Sequence, residues 1–166
     1  MNVVNGGKHA RGGLNYQEFK LLPIGAPTFS EAMRWGSEIF QMLRTRINWV
    51  GFGDEGGLTP IDLSGQTGTQ KVREVLTILT DTIAYAGYKP GKDVVIGIDP
   101  AASVFYQNGL YVMTDGEELT SAEHVEFLRE VVSKWPVWSL EDAMAEGDLE
   151  GWALLTAQLG GRVQLI

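Results

Sequence analysis

Val94-Val95-Ile96-Gly97-Ile98-Asp99 is an apolar, β-branched run too short for a comfortable helix, and it ends in a carboxylate. Such a run reads as a buried strand with one acid at its C-terminal end. The pattern recurs at Val137-Trp138-Ser139-Leu140-Glu141-Asp142, after a helical segment long enough to serve as a crossover. Two parallel strands of this kind present their carboxylates along one rim, which is where (β/α) barrels and open α/β sheets place their chemistry. The alternative is that each acid merely begins a solvated loop or caps the next helix.

Working outward, composition narrows the function classes. The 166 residues suffice for one domain with a real core, and 44% hydrophobic with 20% charged residues is ordinary for a globular chain and argues against disorder. The net charge of -8 argues against nucleic acid or an anionic membrane as partner, because those surfaces are bound through Lys and Arg. An acidic site that handles an anion needs metal ions to mediate. The absence of cysteine excludes disulfides, thiol nucleophiles and thiolate metal sites. No run approaches the roughly 18 apolar residues of a membrane span, and the N-terminus has no apolar signal-peptide core, so the expectation is a cytoplasmic protein.

Before the organising run, Met1-Asn2-Val3-Val4 reads as a strand and Asn5 to Gly13 as a glycine-rich loop, either a backbone that approaches a ligand closely or a mobile connector. Leu14 to Pro23 alternates and reads as a second strand; with only a short loop between them the two can pair antiparallel, since a parallel crossover needs a dozen or more residues. Thr28-Phe29-Ser30-Glu31 has the form of a capping box, opening a helix with a core-facing stripe at Ala32, Met33, Gly36, Ile39, Phe40 and Leu43. Gly53-Asp54-Glu55-Gly56-Gly57 encloses two acids in glycines: a carboxylate held by tertiary contacts, or a local turn. Ser64 to Thr69 reads as a polar loop, and Val72, Val75, Leu76, Leu79 and Ile83 as a helix that Gly87 ends.

After it, Asn108-Gly109 between alternating runs is a hairpin signal. Thr120-Ser121-Ala122-Glu123 is a second capping box, with His124 expected to be solvated in the first turn of its helix. Asp148 is the expected N-cap of a helix over about 149–159, and Arg162 to Ile166 begins another strand.

Asn5-Gly6-Gly7-Lys8-His9-Ala10, Gln17-Glu18-Phe19, Gly25-Ala26-Pro27-Thr28-Phe29, Gly53-Asp54-Glu55-Gly56-Gly57, Ala86-Gly87-Tyr88-Lys89-Pro90-Gly91 with Ile98-Asp99, and Ser139-Leu140-Glu141-Asp142 with Glu150-Gly151-Trp152 together resemble enolase, the glycolytic hydro-lyase that reversibly dehydrates 2-phosphoglycerate to phosphoenolpyruvate. The motifs occur in the family's order and near its spacing along the whole chain. The resemblance implies an α/β fold, a partial (β/α)8 barrel whose first two strands pair antiparallel before βα units follow. Residues 1–166 would then be the N-terminal half of the enolase C-terminal barrel domain.

The resemblance also implies roles. Asp99 and Glu141 fall on two of the three carboxylates that hold the tighter Mg2+. Glu55 falls on the acid that assists departure of the C3 hydroxyl, Glu18 on its neighbouring carboxylate, His9 on a catalytic histidine near the phosphate and leaving group, and Gln17 on a substrate-binding position that His9 and Glu18 share. Asp54 and Asp142 fall on supporting positions. The partner is the small-molecule substrate, and the assembly a homodimer or higher homo-oligomer. The family's base lysine, third metal carboxylate and mobile serine loop have no counterpart in these residues, so the segment alone is not expected to be active. The pattern departs from the family at Val104, which stands where a Glu is usual, at Pro100, and at Gly147 with Leu149. Two other readings stay open: a non-catalytic enolase-derived fragment or interaction module, and an enolase-like enzyme acting on a related phospho-acid.

Overall fold

The first two strands pair antiparallel, as expected. The structure, a computed structural model, describes residues 1–9, 13–60 and 67–166, residue 9 by its backbone alone. Strand β1 (Asn2–Asn5) leads through a 3-10 turn (Gly7–His9) to β2 (Glu18–Leu22), with Asn5 opposite Glu18 and Asn2 opposite Lys20. The alternation from Leu14 predicts a longer second strand, but residues 14–17 fold back on the turn: Gly7 N donates to Leu14 O at 2.7 Å and Gly6 N to Gln17 O at 3.0 Å.

Helix α1 (Phe29–Arg46) buries Gly36, Ile39 and Leu43. Only half of its expected capping box forms. Thr28 Oγ1 accepts from Glu31 N at 3.2 Å, whereas the Glu31 carboxylate turns to Arg34, 2.7 Å away, because a charged donor one turn on outcompetes a backbone amide. Met33, expected in the buried stripe, is exposed.

The glycine-flanked acids form the tip of a hairpin between β3 (Trp49–Phe52) and β4 (Leu58–Pro60), and β4 lies parallel to β1 through Val4 and Leu58. Helix α2 (Gly68–Tyr85) starts earlier than expected, because Thr67 and Gln70 make a full capping box; Gly68 and Thr69 are therefore helical, and residues 64–66 of the expected loop lie outside the described set.

The organising run becomes β5 (Val95–Asp99), buried at every residue. Strands β6 (Tyr106–Gln107) and β7 (Leu110–Val112) form the expected hairpin, with positive φ of 52° at Asn108 and 85° at Gly109, the signature of a type I′ turn. A short β8 (Glu118–Leu119) adds a third strand to it. Helix α3 (Ser121–Lys134), with the expected box at Thr120 and Glu123, crosses to β9 (Val137–Leu140). Helix α4 (Leu149–Leu159), capped by Asp148 as expected, crosses to β10 (Gln164–Leu165).

The main sheet runs β10-β9-β5-β2-β1-β4-β3. Strands β5, β9 and β10 are parallel, while β2 opposes both its neighbours, so this is a mixed α/β fold consistent with part of a (β/α) barrel. One sheet face packs Phe19, Leu21, Ile96 and Ile98 against helix residues such as Ile39, Leu76, Leu128 and Leu155 in a continuous core. Each fully buried side chain of this size contributes about 1.5–3 kcal/mol. The other face carries Glu18 and Lys20.

Candidate active site

Period-two alternation along β2 buries Phe19 and Leu21 and leaves Glu18 and Lys20 half buried on the opposite face. The antiparallel register places Glu18 beside Asp99 and Lys20 beside Gly97. In the next strand Ile98 is level with Leu140, so Glu141 emerges at the height of Asp99. Glu18, Asp99 and Glu141 therefore come from three adjacent strands to one rim. Gln17 joins them through its backbone, its N–H donating to Asp99 O at 2.9 Å.

The rim is electrostatically loaded. Burial first, then the charges of Glu141 and Glu18, raise the Asp99 carboxyl to a pKa of about 6, although the Ala101 N–H and Lys20 pull the other way. The Ala101 bond is 2.8 Å long and is aimed by a left-handed Ala101 with φ 48°. Lys20 Nζ lies 2.9 Å from Glu18 Oε2 and closer to Glu141 Oε2. Burial tends to lower the Lys20 pKa, but the hydrogen bonds and charges of Glu141 and Glu18 outweigh it and raise it.

Asn5 fastens the acidic hairpin tip to this rim. It is fully buried; its Oδ1 accepts from Gly57 N at 2.9 Å and its Nδ2 donates to Gln17 O at 3.2 Å. Glu55 is exposed on that tip, and its Oε2 accepts from Asn2 Nδ2 at 3.2 Å, which places it alongside the part of β1 that faces Lys20. The His9 side chain lies outside the described residues. Val104 lines a separate cleft of about 390 Å3 together with Gly7, Lys8, Asn15 and Gln107.

Gly6 sets the spacing between β1 and the chain before Glu18. A Cβ there would stand 2.6 Å from Leu14 O and closer still to Tyr16 O; both are backbone atoms that cannot rotate away. Gly6→Ala is expected to cost about 1–3 kcal/mol of stability, and a denaturant midpoint equal to wild type would show that the loop yields more easily than this contact implies.

Two site residues escaped the sequence reading. Lys20 was legible in principle, since it follows Glu18 by two in an alternating strand and must share its face. Asn5 gave no sign of its bridging role, which depends on a hairpin tip fifty-two residues away. One expectation is overturned: His124 is fully buried, not solvated. It is one turn before Leu128 and two before Val131, so the same helical stripe that buries them buries it. Its Nε2 is 2.9 Å from Tyr16 Oη, its ring is 4.3 Å from that of Tyr111, and burial lowers its pKa to about 3.

The donor set suits a hard divalent cation such as Mg2+, which takes carboxylate oxygens. Still, no three His, Cys, Asp or Glu side chains among the described residues converge to hold an ion; Lys20 already binds two of the rim carboxylates. Among those residues, too, no helix is long and apolar enough to cross a membrane. The sequence model of the enolase C-terminal TIM barrel domain matches residues 1–166, every residue of the chain. On that match, and on a fold that carries the expected antiparallel first pair and acid-tipped parallel strands, the chain belongs to the family of enolase C-terminal TIM barrel domains.

Proposed function

We propose that these 166 residues are the first half of an enolase barrel and that the protein containing them reversibly dehydrates 2-phosphoglycerate to phosphoenolpyruvate with Mg2+, in the cytoplasm and as a homodimer or higher homo-oligomer. The observation that carries this reading is the strand register that brings Glu18, Asp99 and Glu141 to one rim from three adjacent strands, with Asp99 buried and its pKa raised to about 6. A site that concentrates acid at the expense of ionisation is suited to a cation.

Asp99 and Glu141 would hold the metal, which when bound supplies positive charge against the developing dianionic carboxylate of an enolate-like species. The chain's own part is proton handling and substrate placement. Hydroxide is a poor leaving group unless it is protonated, and clustered carboxyls tend to keep one proton among them; Glu55 with Glu18 is assigned that delivery. Gln17 and His9 are assigned to orient the substrate. The base that takes the C2 proton is not assigned to any of these residues.

A second reading is favoured by one specific observation. Lys20 engages both Glu18 and Glu141, as it would in a structural relic used as an interaction module. The test is dehydration of 2-phosphoglycerate by the protein as its source makes it, followed by the ultraviolet absorbance of phosphoenolpyruvate, before and after EDTA. Turnover that EDTA abolishes and Mg2+ restores supports the enzyme. No turnover, or turnover indifferent to EDTA, overturns it.

A further inference from the structure

Lys20 is placed with unusual specificity. Its strand neighbour in β5 is Gly97, and a Cβ built on that glycine would lie 3.7 Å from Lys20 Cβ. Ser139 Oγ and the Leu22 side chain lie nearer still, at 2.6 and 3.3 Å, and fill the space beside the glycine, while the Lys20 ammonium crosses from β2 past β5 to Glu141 at the end of β9. Adjacent strands are about 4.8 Å apart, and only a long unbranched side chain spans two such steps to Glu141. The ammonium ends on Glu18 Oε2 and Glu141 Oε2, with side-chain exposures of 22% for Lys20, 12% for Glu18 and 37% for Glu141. An ion pair between fully solvated side chains contributes little; this one is partly enclosed, links β2 to the end of β9 across β5, and involves a carboxylate already assigned to the metal.

We propose that Lys20 is a resident countercation of the acidic rim that competes with the divalent metal for Glu141, so that metal binding requires the lysine to swing away. The inference rests on the reading of Asp99 and Glu141 as metal ligands. Its chemistry is charge balance: Glu18, Asp99 and Glu141 together carry three negative charges when ionised, and Lys20 neutralises one of them in place of an ion. The lysine then holds the rim folded without metal, and lowers its affinity for metal. Asp99, which Lys20 does not hydrogen-bond, remains as the first oxygen available to an incoming cation.

The test is Mn2+ and Mg2+ binding to the full chain by isothermal titration calorimetry, and by the electron paramagnetic resonance of free Mn2+. Lys20→Met keeps the length of the stem and removes the charge; Lys20→Gln keeps a polar end should an apolar side chain among acids impair folding. Both are expected to bind Mn2+ about tenfold more tightly than wild type. In the wild-type protein, the Lys20 ammonium resonance in lysine-selective 1H–15N spectra is expected to move to the solvent-exchanging position when Mg2+ is added. Binding in either variant that is equal to or weaker than wild type overturns the countercation role and leaves Lys20 as a residue that positions the acids. Asp99→Asn separates the two claims: if it abolishes binding while the Lys20 variants match wild type, only the competition fails; if it leaves binding unchanged, the ligand assignment itself fails, and the competition with it. Wild type and variants that all fail to bind overturn both.

Discussion

Asp99→Asn is expected to make the fold more stable and the metal site useless. The folded-state pKa of about 6 lies above the ordinary aspartate value of about 3.9, so folding favours the protonated form. The stability contribution of Asp99 is thus fully present below pH ~4 and is lost as pH rises through ~6. At pH 7 the native state holds a buried carboxylate against burial and the charges of Glu141 and Glu18. Two pH units of displacement correspond to about 2–3 kcal/mol, and the near-complete burial of Asp99 leaves little solvent screening to reduce it. Asparagine keeps an oxygen for the Ala101 N–H and discards the charge. Urea unfolding at pH 7 is therefore expected to show the variant more stable by about 2 kcal/mol, an advantage that shrinks toward zero by pH 4. Metal affinity should fall by on the order of a hundredfold, since ligand charge count sets affinity for hard cations. A variant less stable than wild type at pH 7 would mean that the Ala101 bond and Lys20 outweigh the burial of Asp99.

How much of this was legible in the sequence follows from range. Strand β5 was readable because burial on both faces writes an unbroken apolar run, and the antiparallel first pair was readable because the glycine-rich stretch between the two runs is short for a crossover. The hairpin at Asn108-Gly109 and the box at Thr120-Glu123 are local chemistry and appeared where they were read. The box at Thr67-Gln70 is equally local, but it sits in a run of polar residues that has no apolar periodicity to mark a helix start. Thr28 failed in half its box because Arg34, one turn on along the helix surface, captured Glu31. Of the site, the convergence of Glu18 with Asp99 and Glu141 followed once strand order was known. The reach of Lys20 past β5 to Glu141 did not, because it requires register across three strands. Asn2 as the partner of Glu55 likewise depends on how the hairpin lies against β1, which no spacing encodes.

His124 supplies the largest expected pH effect, opposite in sign to that of Asp99. Its ring is sealed among Tyr16, Phe105 and Tyr111, its Nδ1 has no hydrogen-bond partner among the described residues, and burial holds its pKa at about 3 against a modest upward pull from Asp148. An unfolded histidine titrates near 6.5. The native state thus refuses a proton that the unfolded chain accepts, and the stability contribution of His124, complete above pH ~6.5, is lost as pH falls toward ~3. The slope for one such proton is about 1.4 kcal/mol per pH unit. Between pH ~6 and ~4 Asp99 gains what His124 loses, so these two contributions offset each other in wild type, while Asp99→Asn exposes the full decline. His124→Gln tests this from the other side. Glutamine offers Tyr16 a polar partner and cannot take up a proton, so it is expected to cost about 1–2 kcal/mol at pH 7 through imperfect packing and hydrogen bonding. In the Asp99→Asn background it should remove most of the slope between pH ~6 and ~4.5, leaving below that the share of carboxylates such as Glu130, whose pKa Arg73 and Lys134 hold down at about 2. Denaturant unfolding of both proteins across that window decides the matter: equal slopes with and without His124 would mean that water reaches the ring and that the acid sensitivity of the fold originates in other groups.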